Sequence, residues 1–317
     1  MRYESYRSVD RPALIQLWND VFREQRHFLP MTEQLWRERI ERTLDSGGGD
    51  TAFEPELLRV AHDDQQVVGF AHGGEWHEAW CRALFPGTRL RAAGYLACIA
   101  VTPAARRSGV GRGLVASLRA TIDQRAGASV PLRVDGRMFN PYYGNGRAPT
   151  APLWGTPEGL AVAAGDAAMR AFLADCGFLE HQTAVALAAT PSAGRASQRC
   201  KIEVRDDCSP VLGTDLTEPF LETNRSRTWL ALRDGEAAGA LVAYPLSGRV
   251  WGIHSLQVHP DHEGSGLGSA LISRLLSDLV EVADSVEVLT LPEESPGALH
   301  LYSKAGFQPV ADWLIFT

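Results

Sequence analysis

Two short stretches carry residues of the type and spacing needed to hold an anion. Residues 101–118 read VTPAARRSGVGRGLVASL and residues 258–275 read VHPDHEGSGLGSALISRL. Each sets glycines between an apolar run and an amphipathic one. Glycine accepts positive φ and lets the backbone approach a ligand closely. A helix start leaves several N–H groups unpaired and adds the positive end of the peptide dipoles. Together these favour a phosphate or pyrophosphate. The candidates are Val101, Arg106, Arg107, Gly109, Val110, Gly111, Arg112 and Gly113 in the first stretch, and Val258, Gly264, Gly266 and Gly268 in the second. Arg106, Arg107 and Arg112 surround the first set of glycines, and three cations suit a ligand with a pyrophosphate and a ribose phosphate. Arg112 also fits a plain solvent-facing helix position. The second stretch has Glu263 where the first has Arg106. No Gly-Lys-Ser/Thr follows, which excludes a Walker A loop, and the third glycine of the Rossmann fingerprint is missing.

The offset between the two stretches is constant at 157 residues, so the chain contains an internal repeat. The elements around each copy agree. In the first, the pattern predicts helices over 11–22 and 32–44, two strands over 57–76 around the turn 63–66, and a buried strand over 94–101. A helix over 111–125, a strand over 131–136, a helix over 166–178 and a closing strand over 184–189 follow. The second copy repeats this in shorter form. It has a strand at 201–204, a hairpin through Asp234-Gly235, a buried strand at 251–258 and a helix over 265–282. A strand at 285–291, a helix at 297–307 and a closing strand at 313–316 complete it. The Ala-, Ser- and Gly-rich run 188–199 reads as a linker. The expected domains are 1–189 and 200–317, joined by the linker 190–199.

Composition narrows the function. A chain of 317 residues suits two domains. Residues 1–190 hold 21 Arg against 21 Asp plus Glu, so the entire net charge of −7 lies in residues 191–317. That acidity disfavours a nucleic-acid partner. No apolar run has the length of a membrane helix, and the N-terminal residues do not read as a signal peptide, so a cytoplasmic protein without a membrane partner is expected. Cys81, Cys98, Cys176, Cys200 and Cys208 are scattered and read as free thiols, not as a disulfide framework or a zinc site.

The pattern V-x-P-x-x-R-x-x-G-x-G-x-x-L, after a strand and before a helix, resembles the acetyl-CoA-binding motif of the GCN5-related N-acetyltransferases (GNAT). The first copy matches with Val101, Pro103, Arg106, Gly109, Gly111 and Leu114. The second matches with Val258, Pro260, Gly266, Gly268 and Leu271, and departs from it at Glu263. The family's closing helix end appears as LYSKAGF (301–307) and, less fully, as FLADCGF (172–178). The resemblance covers nearly the whole chain. It implies an α/β (α+β) fold of two tandem GNAT-type domains, each a mixed central β-sheet flanked by helices and splayed where the acyl-CoA enters. It implies acetyl-CoA as co-substrate, no metal, an amine of a small molecule or peptide as acceptor, and two domains packed as an intramolecular pseudo-dimer. The amine attacks the thioester directly. A base must take its proton and an acid must protonate the leaving thiolate.

The resemblance divides these roles unequally. Tyr302 stands where the family's phenol protonates the sulfur, and its counterpart in the first copy is Leu173. His254 lies where the family often has a polar base. With an ordinary pKa near 6.5 it would accept a proton at neutral pH, whereas its counterpart is Ala97. A packing aromatic and a hydrogen-bonded strand histidine are the structural alternatives for these two. The first copy offers Glu75, His77 and Glu78, with His72 nearby, and a Gly/Pro/aromatic loop over 138–159 in which Tyr142 or Tyr143 could supply an acid. Spacing alone does not make His72, Glu75 and His77 a metal site. A non-catalytic acyl-CoA-binding regulatory or structural protein is the competing reading. Glu263 and Leu173 favour it, while Tyr302 and the arginines of the first turn oppose it.

Overall fold

Alternating strands and amphipathic helices need a sheet to bury their apolar faces, and the chain builds one sheet from both halves. The structure is a computed structural model, described here for residues 1–41, 55–76, 93–134, 153–155, 162–193, 200–205 and 226–316. The first half runs β1 (Arg2–Ser5), α1 (Arg11–Phe22), α2 (Glu33–Trp36, continued by a wider π-type turn Arg37–Glu41), β2 (Leu58–Asp63), β3 (Gln66–Trp76) and β4 (Ala93–Val101). It goes on with α3 (Val110–Ala126), β5 (Leu132–Val134), α4 (Ala167–Asp175) and β6 (Glu180–Ala189). The second half runs β7 (Lys201–Arg205), β8 (Arg227–Arg233), β9 (Glu236–Ser247), β10 (Val250–Val258), α5 (Leu267–Asp278), β11 (Ser285–Thr290), α6 (Pro296–Lys304) and β12 (Gln308–Phe316).

Local chemistry explains many of these boundaries. Pro12 in the first turn of α1 costs no helical hydrogen bond. Thr32 caps α2 by accepting from the Leu35 N–H at 3.1 Å. Asp64, at φ 51°, closes the β2–β3 hairpin, and Asp234-Gly235, at φ 52° and 87°, closes β8–β9. Trp18 and Trp36, both fully buried, seat α1 and α2 on one face of the sheet against Phe70. Leu114, Leu118 and Ile122 of α3 pack on the other face. In the second half α5 and α6 bury Leu271, Leu275 and Tyr302 against Trp229 and Ile253. Among the described residues no helix is long and apolar enough to cross a membrane.

The strand order is β1-β2-β3-β4-β5-β12-β6-β11-β10-β9-β8-β7. The closing strands are therefore exchanged. β6, from the first half, pairs antiparallel with β11 of the second from Val185↔Thr290 to Ala189↔Val286. β12, from the second half, reaches β5 of the first at Phe316↔Val134. The two exchanged strands pair with each other from Glu180↔Phe316 to Ala188↔Gln308. Trp313, Ile315, Ala184, Ala186 and Leu289 form a separate small core at this junction.

Both closing strands are longer than their apolar segments predict. Residues 180–183 are polar and, like 308–312, largely exposed, and their pairing partners come from each other's strands. The helix expected over 265–282 is confined to Leu267–Asp278. Of the helix expected over 32–44, only the part up to Glu41 lies within the described residues.

Candidate active site

Each half turns from strand to helix along the same backbone path. A 3-10 turn, Pro103–Ala105 or Pro260–His262, follows β4 or β10. The next residue is extended in both copies: Arg106 at φ −67°, ψ 151° and Glu263 at φ −59°, ψ 149°. Arg107 (φ 63°) and Gly264 (φ 71°) then take the left-handed region, followed by Gly109 (φ 90°) and Gly266 (φ 86°). For Arg107 this conformation costs about 1 kcal/mol that glycine avoids. Gly109 and Gly266 are the N-caps of α3 and α5, and neither helix has a side-chain cap. The first capping-turn bonds run from the Gly113 N–H to the Gly109 carbonyl and from the Ala270 N–H to the Gly266 carbonyl, at 2.9 and 3.0 Å. The N–H groups before them head the helix, as an anion cradle requires.

The glycines inside the helices have a different reason. A Cβ on Gly111 would stand 2.9 Å from the Phe172 ring of α4, and one on Gly113 would run into the Tyr3 hydroxyl. A Cβ on Gly268 would stand 3.0 Å from Leu301. These three admit neighbouring side chains, whereas the space beside Gly109 is open. Val110 is buried, and Val101 and Val258 are half-buried at the strand ends. Arg106 and Arg107 are exposed, and the Arg106 Nε donates to the Val101 carbonyl at 3.1 Å. Arg112 is exposed and lies 3.6 Å from Asp175 of α4. The second turn has Asp261 and Glu263 with His259 and His262, whose rings are 5.9 Å apart.

Behind each turn lies a pair of parallel strands, and in the second half they part company. The β4–β5 ladder runs from Gly94↔Leu132 to Leu96↔Val134, and the β10–β11 ladder from Val250↔Ser285 to Ile253↔Val288. At that point the antiparallel ladder on the other side is irregular, between Leu96 and Cys98 in one half and between Ile253 and Ser255 in the other. The residues at the two bulges are Ala97 and His254. A bulge sharpens local twist and re-aims a side chain. In the second half it marks where β10 leaves β11, opening a wedge beside the glycine turn.

His254 stands on its bulge with the Tyr244 ring 6.4 Å away. Burial pushes its imidazole down to about 4, so it is neutral at pH 7 and a much weaker base than an ordinary histidine. Tyr302 is 5 % exposed and packs tilted on Phe307 at 5.4 Å. Its counterpart Leu173 is 1 % exposed in the first half's core, so both positions pack and they differ in the hydroxyl. Glu75 is engaged by the Arg125 Nε at 3.1 Å and serves a structural pair. His72 is buried opposite Cys98, its imidazole pushed down to about 3 by burial. His77, Glu78, Tyr142 and Tyr143 lie outside the described residues. Cys98, Cys176 and Cys200 are free thiols, and burial raises each of them. Among the described residues no group of His, Cys, Asp and Glu is arranged to hold a metal ion.

Sequence reasoning missed the polar groups that reach from the first half into the second. Arg39, 2 % exposed, lies where its charge interacts with Tyr244, and burial lowers its guanidinium to about 10. Arg26 and His27 bind Glu287 on β11. A signal for Glu287 was available: it interrupts SVEVLT, where alternation turns it away from the core that Val286 and Val288 fill.

The model of the acetyltransferase (GNAT) family matches this chain twice, over residues 11–135 and 195–307. The mycothiol acetyltransferase of Clavibacter sepedonicus is 29% identical over 295 residues, covering 87% of this chain and 83% of that protein. The L-amino acid N-acyltransferase MnaT of Escherichia coli (strain K12) is 41% identical over 54 residues, 17% of this chain and 31% of the relative. The match therefore spans about a third of that relative's length. In fold, the tandem GNAT protein from the clavulanic acid biosynthesis pathway superposes with a TM-score of 0.64 over 99% of this chain and 97% of its own, at 16% identity.

Proposed function

The chain belongs to the acetyltransferase (GNAT) family, and from that premise we propose that its second half carries out acetyl transfer while its first half serves mainly to bind acetyl-CoA and to support the second. It is an N-acetyltransferase, and enzymes of this family take the acetyl group from acetyl-CoA. The acceptor we propose is an amine of a small molecule or peptide. The likeness to a mycothiol acetyltransferase, spread over most of both proteins, supports the small molecule. The acidic surplus of residues 191–317 supports a cationic amine, which it would attract. We also assign the enzyme to the cytoplasm of a bacterium, in keeping with the origin of these relatives.

The observation that carries the assignment is the pair Tyr302 and Leu173 at one position of two like-built halves. In acetyl transfer the amine nitrogen bonds to the thioester carbonyl carbon, the carbon–sulfur bond breaks, the nitrogen loses a proton and the sulfur gains one. Tyr302 has a hydroxyl to give that proton, and Leu173 has none. The edge of β10 beyond Ile253, where its ladder to β11 stops, can lend main-chain N–H groups to the carbonyl oxygen. The turn Gly264–Gly268 and the head of α5 fit the diphosphate of acetyl-CoA in the second half, as Arg106, Arg107, Gly109 and the head of α3 do in the first. A neutral His254 is poorly matched to deprotonating an ammonium group directly. Its role in this reading is to accept a hydrogen bond from the acceptor, with the proton leaving through water.

The test is thiol release from acetyl-CoA by the full chain with a panel of amines. Tyr302→Phe should abolish turnover without unfolding the protein. Full activity in that variant would move the chemistry to the first half.

A further inference from the structure

A segment of the first half sits on the second half's sheet beside the proposed reaction wedge. Between β1 and β2 the first half has residues 6–57, and between β7 and β8 the second half has only 206–226. The longer segment crosses over. Between α1 and α2, Arg26 and His27 grip Glu287 of β11: the Arg26 guanidinium binds both carboxylate oxygens, and the His27 Nε2 lies 2.8 Å from Oε2. The other ring nitrogen of His27 lies 2.7 Å from the Ser247 Oγ at the end of β9. His27 and Glu287 side chains are 6 % and 3 % exposed, so this is a buried, charge-assisted joint and not a surface pair.

The gripping loop is itself held firmly. The Gly155 N–H donates to the Arg26 carbonyl at 2.7 Å, and the Leu29 N–H to the Leu153 carbonyl at 2.9 Å. Trp154 stacks on Phe22 at 5.0 Å. His27 adopts φ 55°, a strained conformation for a residue with a side chain, which its two partners sustain.

Glu287 pairs with Gly252, and the next pair, Ile253↔Val288, is the last before β10 and β11 separate at His254. The grip is therefore one residue pair from the point of the wedge. The corresponding position on β5 is Arg133, paired with Tyr95. The two halves thus carry opposite charges there.

We propose that Arg26 and His27 are positioning residues for the acetyl transfer of the second half: by fixing Glu287 they hold β11 at the mouth of the wedge, so that the second half's reaction site is incomplete without the first. This rests on the reading that the second half is the catalytic one. A 1 Å misplacement of reacting groups costs about a hundredfold in rate, so a loosened β11 should act on kcat more than on the binding of acetyl-CoA.

The experiment uses the full chain and three variants, Arg26→Met, Arg26→Lys and Glu287→Gln, measured well below their melting temperatures. The expected result for Arg26→Met and Glu287→Gln is a fall in kcat of about tenfold with KM for acetyl-CoA within about twofold. Arg26→Lys, which keeps the charge, should recover most of the rate. Amide exchange at 288–290 and 254–258 should speed up in the first two variants and not in the third. A lowered melting temperature with unchanged kcat and unchanged exchange at those residues would overturn the proposal and leave an ordinary structural bridge. Tyr302→Phe is run alongside. If it stays active, the catalytic assignment fails, while the exchange measurement still decides whether the grip sets β11.

Discussion

The turn at 106–112 and the turn at 263–269 follow one backbone path with opposite charge. Arg106 and Glu263 share their dihedral angles to within about 10°, and Gly109 and Gly266 start their helices in the same left-handed conformation. Around them nearly every side chain that could do chemistry differs: arginines against carboxylates, Ala97 against His254, Leu173 against Tyr302, Arg133 against Glu287. The backbone path of the turn is held by a few glycines, with a bulge on the strand before it. It persists while the side chains diverge, so a cradle alone does not identify the working half. In the proposed reading, the hydroxyl of Tyr302 and the polar residue at the bulge are the features that discriminate.

The comparison breaks most visibly at the closing helices. Tyr302→Phe removes the proposed proton donor and keeps the ring, and kcat should fall by about 10²–10⁴-fold with an unchanged denaturation midpoint. The matching change in the first half, Leu173→Ala, empties a fully buried site. It should cost about 2–5 kcal/mol in urea unfolding while kcat of the folded enzyme holds. A catalytic defect in Leu173→Ala with no loss of stability would reverse the roles of the halves.

Acid should weaken both halves through two histidines, the buried His72 and the half-buried His254. His254 is held near 4 and His72 near 3, below the ordinary value of 6.5. The unfolded chain therefore binds these protons more readily than the native one. Their contribution is complete above pH 6.5 and is lost as the pH falls through 6.5 toward 4. The urea midpoint should drop between pH 7 and pH 4.5, and less steeply in His254→Asn. An acid limb of kcat/KM near 6.5 that disappears in His254→Asn would show that His254 titrates normally and sink the assignment of a neutral, non-basic role.

Smaller changes sharpen the likeness of the turns. Gly109→Ala and Gly266→Ala each force a methyl group into the left-handed region, at about 1 kcal/mol apiece, and the two losses should agree in thermal unfolding. Unequal losses would mean that the turns are less alike than their dihedrals. Glu263→Gln should tighten coenzyme A binding at the second turn by about twofold, more at low salt and less at high salt. Calorimetry that finds no change would remove charge from the account of how the halves differ.

What could be read in the sequence was what is decided locally. The glycine turns, the Asp234-Gly235 hairpin and α1 follow from residues within a few positions of one another, and so does the order of elements. The exchange of β6 and β12 depends on pairing between residues about 100 positions or more apart. Alternation marks their apolar ends and cannot say whose sheet they join. The same limit applies at the site. Gly111, Gly113 and Gly268 read as ligand-facing glycines, yet Phe172, Tyr3 and Leu301 explain them. The proton affinity of His254 is a property of its surroundings, which Tyr244 and the neighbouring strands supply.

The exchanged strands also impose a timetable on biosynthesis. β12 is made after every other described element, and it lies between β5 and β6, both made more than 100 residues earlier. Until it arrives, the first half of a growing chain has an open sheet edge at β5, and β6 waits for two neighbours not yet translated. Such an edge is a template for unwanted pairing. Nascent chains should therefore expose this edge until β12 has been made, and a truncation that removes β12 would damage the first half along with the second.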